Sequence, residues 1–285
     1  MTVGLAILVR SMSLATSGFA NGNSWQYHPR SDRHSKILCW GIFFDLMLRD
    51  SPISRQVREG KVAFGINHRM RDFQNSREKD LDLVICRRAS QETKSGIAWF
   101  QDMVQAYSIV LGEQEATALA TLPLIPLTGV QTSLVALEAK AAMTEFGKAR
   151  PRLYDELNSS QLTIHGDTQA DIAAGFVIVN VSPTFVSPLR NPFKLGAEYP
   201  TIVTSHTQMR SAASVIEKIE QLPRRSAVDT PGFDALGVAL VSCANDGTPV
   251  TIETASPAPR PGDSYHYDSF LERIETIYAA RFASL

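Results

Sequence analysis

Residues 133–140, with the sequence SLVALEAK, constrain this chain more than any other segment. They have the composition of a buried β-strand, yet the strand ends with a carboxylate and an ammonium two positions apart. Because side chains alternate along a strand, Glu138 and Lys140 should share one face, with Leu137 and Ala139 on the other. Burying such a charged pair costs free energy, and a function is the simplest reason for a chain to keep it. The pattern therefore indicates a functional site.

A second acidic strand is predicted upstream, at residues 79–86. Alternation places Leu81 and Leu83 on one face and Asp80 and Asp82 on the other, so the acidic face can converge with Glu138 if the strands are neighbours. The intervening sequence has room for a helix, which apolar residues at helical spacing predict over 96–120. Another acid-x-Lys pattern, at residues 92–94, lies in a polar segment that is typical of a solvated loop.

An Asp on one strand followed by Glu-x-Lys on another resembles the PD-(D/E)XK nuclease superfamily, the restriction-endonuclease-like fold. Over residues 60–185, the matching positions are Asp82, Glu138 and Lys140, and Leu81 stands where the family pattern has Pro. The resemblance implies an α/β fold with a mixed central β-sheet flanked by helices and with helical additions at both ends. It also implies a metal-dependent DNA endonuclease of the restriction or prophage type.

The residues themselves suit phosphodiester hydrolysis. Asp82, Glu138 and the backbone carbonyl of Ala139 offer the oxygen ligands that Mg²⁺ (or Mn²⁺) prefers. The Lys140 ammonium can orient the attacking water, lower the pKa of that water and offset negative charge on the phosphorus. We therefore expect Asp82, Glu138 and Lys140 to be catalytic and their side chains to meet in the fold.

Two further carboxylates stay open as metal ligands. Asp80 is a rival to Asp82, and Asp45 lies within a helix predicted over residues 32–48, where it faces either the metal or water. In the alternative interpretation, Glu138 and Lys140 form an exposed pair on an edge strand. The alternative function is that of a catalytically inactive nucleic-acid-binding or assembly protein of the same fold.

The charge distribution favours double-stranded DNA as partner. The net charge is −1, but residues 1–100 carry 15 Lys and Arg against 9 Asp and Glu, whereas the rest of the chain has an acidic excess. Phosphate contacts depend on local charge, although a solvated basic face would give the same pattern. The predicted DNA-binding residues are Arg69, Arg71, Arg87, Arg88, Lys148, Arg150 and Arg152.

Length and composition set the remaining expectations. With 285 residues, 44% of them hydrophobic, the chain can bury a sizeable core. We expect residues 1–23 to form a loosely ordered extension and 24–285 a single nuclease-like domain, with its core at about 60–185 and a C-terminal elaboration at about 200–285. Three cysteines without metal-ligand spacing indicate a cytoplasmic protein, and no apolar run is long enough for a membrane span. An apolar stripe on the last predicted helix docks on the core or forms a homodimer contact.

Overall fold

The computed structural model describes residues 2–17, 19, 21–73, 75–89, 96–130, 132–197 and 199–285. Its helices are α1 (Gly4–Ser13), α2 (Arg33–Leu48), α3 (Pro52–Arg58), α4 (Asp102–Ala106), α5 (Glu113–Thr121), α6 (Phe146–Asp167), α7 (Arg210–Glu220) and α8 (Tyr267–Phe282). Its strands are β1 (Val62–Asp72), β2 (Arg77–Arg87), β3 (Ser133–Ala142), β4 (Ile172–Asn180), β5 (Thr184–Val186), β6 (Val203–Ser205), β7 (Ala235–Ser242) and β8 (Thr251–Glu253).

The chain is an α/β protein built on a six-stranded mixed sheet in the order β1-β2-β3-β4-β7-β8. The long hairpin of β1 and β2 pairs antiparallel with β3, whereas β3, β4 and β7 are parallel to one another. Every residue of β4 is buried, as expected for a central parallel strand covered on both faces. The helix α6 makes the crossover between the parallel strands β3 and β4 that such a pair requires.

Helices cover both faces of the sheet. The first face packs against α1, α2, α3 and α8 and includes Leu137 of β3, while the second packs against α6 and α7 and includes Ala136. We call the hydrophobic clusters on these two faces the first core and the second core. The apolar stripe of α8 belongs to the first core, where Phe270, Ile274 and Tyr278 are buried, so it docks on the sheet as predicted. Among the described residues, no helix is both long and apolar enough to cross a membrane.

The amino-terminal segment differs from its expected loose order. Helix α1 packs along α2, and its Ile7, Leu8 and Met12 are fully buried in the first core. Its carboxyl end is held by long-range hydrogen bonds, such as that from the Val250 amide to Ser13 Oγ at 2.8 Å. The pattern of apolar residues in this segment therefore reflects a packed helix.

The single helix predicted over 96–120 is two short helices, α4 and α5, separated by a turn. Ser108 lies in that turn with a φ of 50°, a left-handed conformation that a continuing helix does not contain. The acid-x-Lys pattern at residues 92–94 lies outside the described residues.

The face assignment predicted for β2 is wrong at one point, and that point matters for the site. Leu83 packs into the first core and Leu81 into the second, although strict alternation places them together. On β1, Ile66 and Met70 are divided in the same way. Asn67, which has a φ of 48°, faces Asp82 in the register where the switch occurs. The hairpin therefore changes faces at Asp82.

Candidate functional site

The candidate site lies where β2 and β3 separate. Their backbone ladder ends at the pair of Leu83 and Leu137, and beyond it a side chain replaces the missing strand partner. Asp82 Oδ2 accepts a hydrogen bond of 3.0 Å from the backbone amide of Ala139. This contact places Asp82 beside the β3 segment that carries Glu138 and Lys140, and Asp82 and Lys140 line the same cleft, whereas Glu138 does not line it.

Helix α2 holds Asp82 from the first face of the sheet. Lys36 Nζ lies 2.7 Å from Asp82 Oδ1, and Ser35 Oγ donates to the same oxygen at 3.0 Å. The Lys36 side chain is fully buried, at 0% exposure. Burial alone would raise the pKa of Asp82, but the charge and hydrogen bond of Lys36 and the Ala139 amide outweigh it. The pKa of Asp82 therefore lies below its usual value, and Asp82 is an anion at neutral pH.

Glu138 lies on the opposite side of β3, facing α6. Its carboxylate is only 2% exposed, with Oε1 2.7 Å from Lys140 Nζ and 3.7 Å from Lys79 Nζ. Its other oxygen, Oε2, is buried and has no hydrogen-bond partner among the described residues. Burial raises the pKa of Glu138, and the negative charge of Asp82 adds to that rise against the two lysines. The effect of Asp82 on the pKa of Glu138 means that the two carboxylates interact electrostatically.

Lys140 connects the motif to α6 and to open space. Its Nζ also lies 3.5 Å from Glu156 Oε2, and Glu156 is in turn 3.8 Å from Arg152 Nε. Burial lowers the pKa of Lys140, but the charge and hydrogen bond of Glu138 raise it by more than burial lowers it. The pKa of Lys140 therefore lies above its usual value. A cleft of about 370 Å³, called here the site cleft, is lined by Asp82, Ala139, Lys140 and Arg152.

The donor set fits a hard divalent cation that keeps part of its water shell. Asp82 and Glu138 supply two carboxylates beside the Ala139 backbone, and the unpartnered Glu138 Oε2 is a buried oxygen with capacity for a ligand. In the described part of the chain, no three His, Cys, Asp or Glu side chains form a metal cluster. Mg²⁺ is often bound by one or two carboxylates together with substrate phosphates, which is the kind of site these residues resemble.

The two alternative carboxylates lie away from this site. Asp80 is on the exposed side of β2, where Arg69 binds it through two hydrogen bonds of 2.9 and 3.0 Å. Asp45 is buried, so it does not face water, and its contacts are with α1 and α8 and not with the candidate site. It accepts hydrogen bonds of 2.8 Å from the Val3 and Gly4 amides and from the Tyr267 hydroxyl, and so it caps α1. The structure therefore places neither Asp80 nor Asp45 beside Glu138 and the Ala139 backbone.

The predicted basic residues do not form one cluster. Arg69 and Arg71 lie toward the turn of the β1–β2 hairpin, whereas Arg87 and Arg88 lie at its opposite end. Arg87 is five positions beyond Asp82 on β2, roughly 17 Å along a strand. The other three predicted residues lie on α6: Arg152 lines the site cleft, and Lys148 and Arg150 each line a neighbouring cavity.

Sequence reasoning missed four polar residues of the site, namely Ser35, Lys36, Lys79 and Glu156. Lys36 had a signal, because it begins the otherwise apolar run KILCWGIFF on a predicted helix. An ammonium that lies within a buried stripe needs an anionic partner. Lys79 and Glu156 gave no such signal in the sequence, because exposed strands and helices commonly carry Lys and Glu.

Comparisons of the chain with protein-family models, with curated proteins and with solved structures give no significant match.

Proposed function

We propose that this protein is a Mg²⁺-dependent endodeoxyribonuclease of the restriction-endonuclease-like class, which hydrolyses DNA phosphodiesters in the site cleft. The observation that carries the proposal is that, where β2 and β3 separate, Asp82 binds the Ala139 amide between Glu138 and Lys140, and Lys140 pairs with Glu138. The unpartnered oxygen of Glu138 supports it, because a buried carboxylate oxygen without a hydrogen bond is costly in a protein that has no use for it.

In this mechanism Asp82, Glu138 and the Ala139 carbonyl would hold the metal ion. When bound, Mg²⁺ supplies electrostatic stabilisation of the phosphoryl and departing oxygens. Lys140 is protonated at neutral pH, because its pKa is raised, so it acts as a donor and not as a base. Its ammonium orients the water and offsets the charge that develops on the phosphate. Hydrolysis places the hydroxyl of water on phosphorus and a proton on the departing oxygen.

Cleavage of plasmid and linear DNA, with Mg²⁺, with Mn²⁺ and with chelator, tests the proposal. Asp82→Ala, Glu138→Ala and Lys140→Ala should each reduce metal-dependent cleavage by at least a hundredfold, while Asp80→Ala serves as the matched control. Asp80 is on the same strand, two positions away, and its carboxylate is exposed. Thermal melting verifies that each variant is folded. Undiminished cleavage by both Asp82→Ala and Glu138→Ala would reject the site.

A second candidate is a DNA-binding or assembly protein without catalysis. It is favoured by the ion pairs already present, since Lys36 and Lys140 each lie 2.7 Å from one of the two carboxylates. The same assays separate the candidates. DNA binding with no cleavage in either metal, and with Glu138→Ala unchanged in affinity, would support the second.

A further inference from the structure

A second cavity, of about 340 Å³, opens directly beside the site cleft. We call it the side cavity. The two spaces have Tyr27, Pro29, Ala141 and Arg152 in common, so their contents would touch. The Arg152 guanidinium lies at this shared wall, where its charge partly offsets the rise in the Tyr27 pKa that burial causes. A phosphate at Arg152 would therefore face both spaces.

The floor of the side cavity is apolar and partly aromatic. Tyr27 is the partly exposed ring of this floor, and it packs at 6.3 Å and 64° on Phe185, which is fully buried. Met143 and Pro188 also line the cavity. The backbone of Tyr27 is fixed by Asn245, which accepts from its amide at 2.9 Å and donates to its carbonyl at 3.1 Å. Burial raises the pKa of Tyr27 to about 12, so its hydroxyl is neutral at physiological pH.

The rim of the side cavity is cationic and exposed. Lys148, Arg152 and Arg190 lie around it, with Glu145 as the carboxylate of this lining, 3.6 Å from Lys148. Leu189 adds an exposed apolar side chain. An aromatic and apolar floor beneath a positive rim matches a flat ring that carries phosphates. Bases stack on such aromatic platforms without sequence preference, while basic groups follow the backbone.

We infer that the side cavity binds the base of an unpaired nucleotide adjacent to the phosphate in the site cleft. The inference rests on the proposed function, because it takes the strand in the site cleft to be DNA. The cavity is near the lower end of the range for small-ligand pockets, roughly 300–1,000 Å³, and a paired base inside a duplex cannot enter it. The preferred substrate is then a DNA strand with a single-stranded segment, such as a tail, flap or gap.

Binding measurements in Ca²⁺ test this without requiring cleavage. The probes are a blunt duplex, the same duplex with a five-nucleotide tail, a single-stranded oligonucleotide and a mononucleotide. The wild-type protein should bind the tailed duplex at least tenfold more tightly than the blunt one. Tyr27→Ala should remove about tenfold of that affinity, the order that one stacked base contributes, while Tyr27→Phe retains it.

Because Tyr27→Ala removes a partly buried ring, an exposed position provides an independent variant. Leu189→Glu places a negative charge at the rim and should weaken binding of the tailed duplex at least fivefold. Leu124→Glu is the matched control, since Leu124 is 62% exposed, close to the 57% of Leu189, and does not line either space. Its affinities should equal those of the wild type.

The outcomes separate this inference from the proposed function. Equal affinity of the wild type for blunt and tailed duplexes would overturn the side cavity as a base site, even if cleavage occurs. So would a Leu189→Glu variant that loses the same factor of affinity for both duplexes. A mononucleotide that binds as tightly as the oligonucleotide and displaces it would overturn the strand assignment in favour of a free nucleotide. If the wild type prefers the tailed duplex, Tyr27→Ala and Leu189→Glu both lose that preference, and no DNA is cleaved, the base site is supported. Only the proposed nuclease activity is then rejected.

Discussion

Replacing Lys36 with Met should destabilise the protein and make its stability depend on pH. Lys36 is fully buried and pairs with Asp82 at 2.7 Å, so the substitution leaves a largely buried carboxylate without its countercharge. Removing one partner of a buried ion pair costs about 3–5 kcal/mol. Asp82 keeps the Ser35 hydroxyl and the Ala139 amide, so we expect the lower end of that range.

The sign of the pH dependence follows from the pKa of Asp82. In the wild type it is lowered, so the ion pair contributes stability above the unfolded pKa of about 3.9, and this is lost as pH falls through the folded pKa. In Lys36→Met, burial dominates and raises the pKa of Asp82. The variant therefore has a lower free energy of unfolding than the wild type at neutral pH. This difference, its stability deficit, becomes smaller toward pH 4, because the Asp82 carboxyl protonates in the folded protein.

Thermal melting from pH 4 to 8 measures this deficit. At 2–4 °C per kcal/mol for a chain of this size range, a loss near 3 kcal/mol lowers Tm by roughly 6–12 °C at pH 7. Lys61→Met is the matched control, because Lys61 pairs with Glu59 at 2.8 Å on the surface, where a pair contributes about 0–1 kcal/mol. An unchanged Tm at pH 7, or a deficit that is constant across this pH range, would refute the reasoning.

Three other predictions concern buried carboxylates, with Tm and cleavage as the measurements. Burial raises the pKa of Asp171 to about 7, so wild-type stability should fall as pH rises from about 4 to 7, and Asp171→Asn should reduce that fall. Glu138→Gln should raise Tm at pH 7 and not at pH 4, because the pKa of Glu138 is also raised, while abolishing cleavage. Asp45→Ala should lower Tm by several degrees and leave cleavage intact, because its carboxylate caps α1 and lies outside the site.

The parts of the fold that could be predicted from sequence are those whose periodicity is local. The apolar strand at β3 and the run that forms α2 lie where their patterns indicated, since alternation and helical spacing record burial directly. The pairing of Glu138 with Lys140 on one face followed from the same alternation. Helix α1 was missed although its residues are apolar, because that pattern does not report the α2 surface against which they are buried.

What the sequence could not reveal depends on breaks in regular geometry. The change of faces at Asp82 arises from the left-handed conformation of Asn67 on the neighbouring strand, which a pattern of alternating residues does not contain. The division of the basic residues has a similar cause. Arg69 and Arg87 are both near Asp82 in the sequence, but an extended hairpin separates them toward opposite ends.

The surroundings of the two carboxylates differ in a way that bears on how a cation would be held. Around Asp82, the countercharge is a fully buried ammonium with no route to solvent, so a cation there would share the carboxylate with Lys36. Around Glu138, Lys140 is partly exposed at the site cleft, and Oε2 has no partner. A divalent ion at Glu138 would displace the Lys140 ammonium, which already lies 3.5 Å from Glu156, and would lie near Lys79. Glu138 should be the principal ligand of such a cation, because the cation would give the buried Oε2 the partner that it lacks. Asp82, which Lys36 holds in place, would be the second ligand.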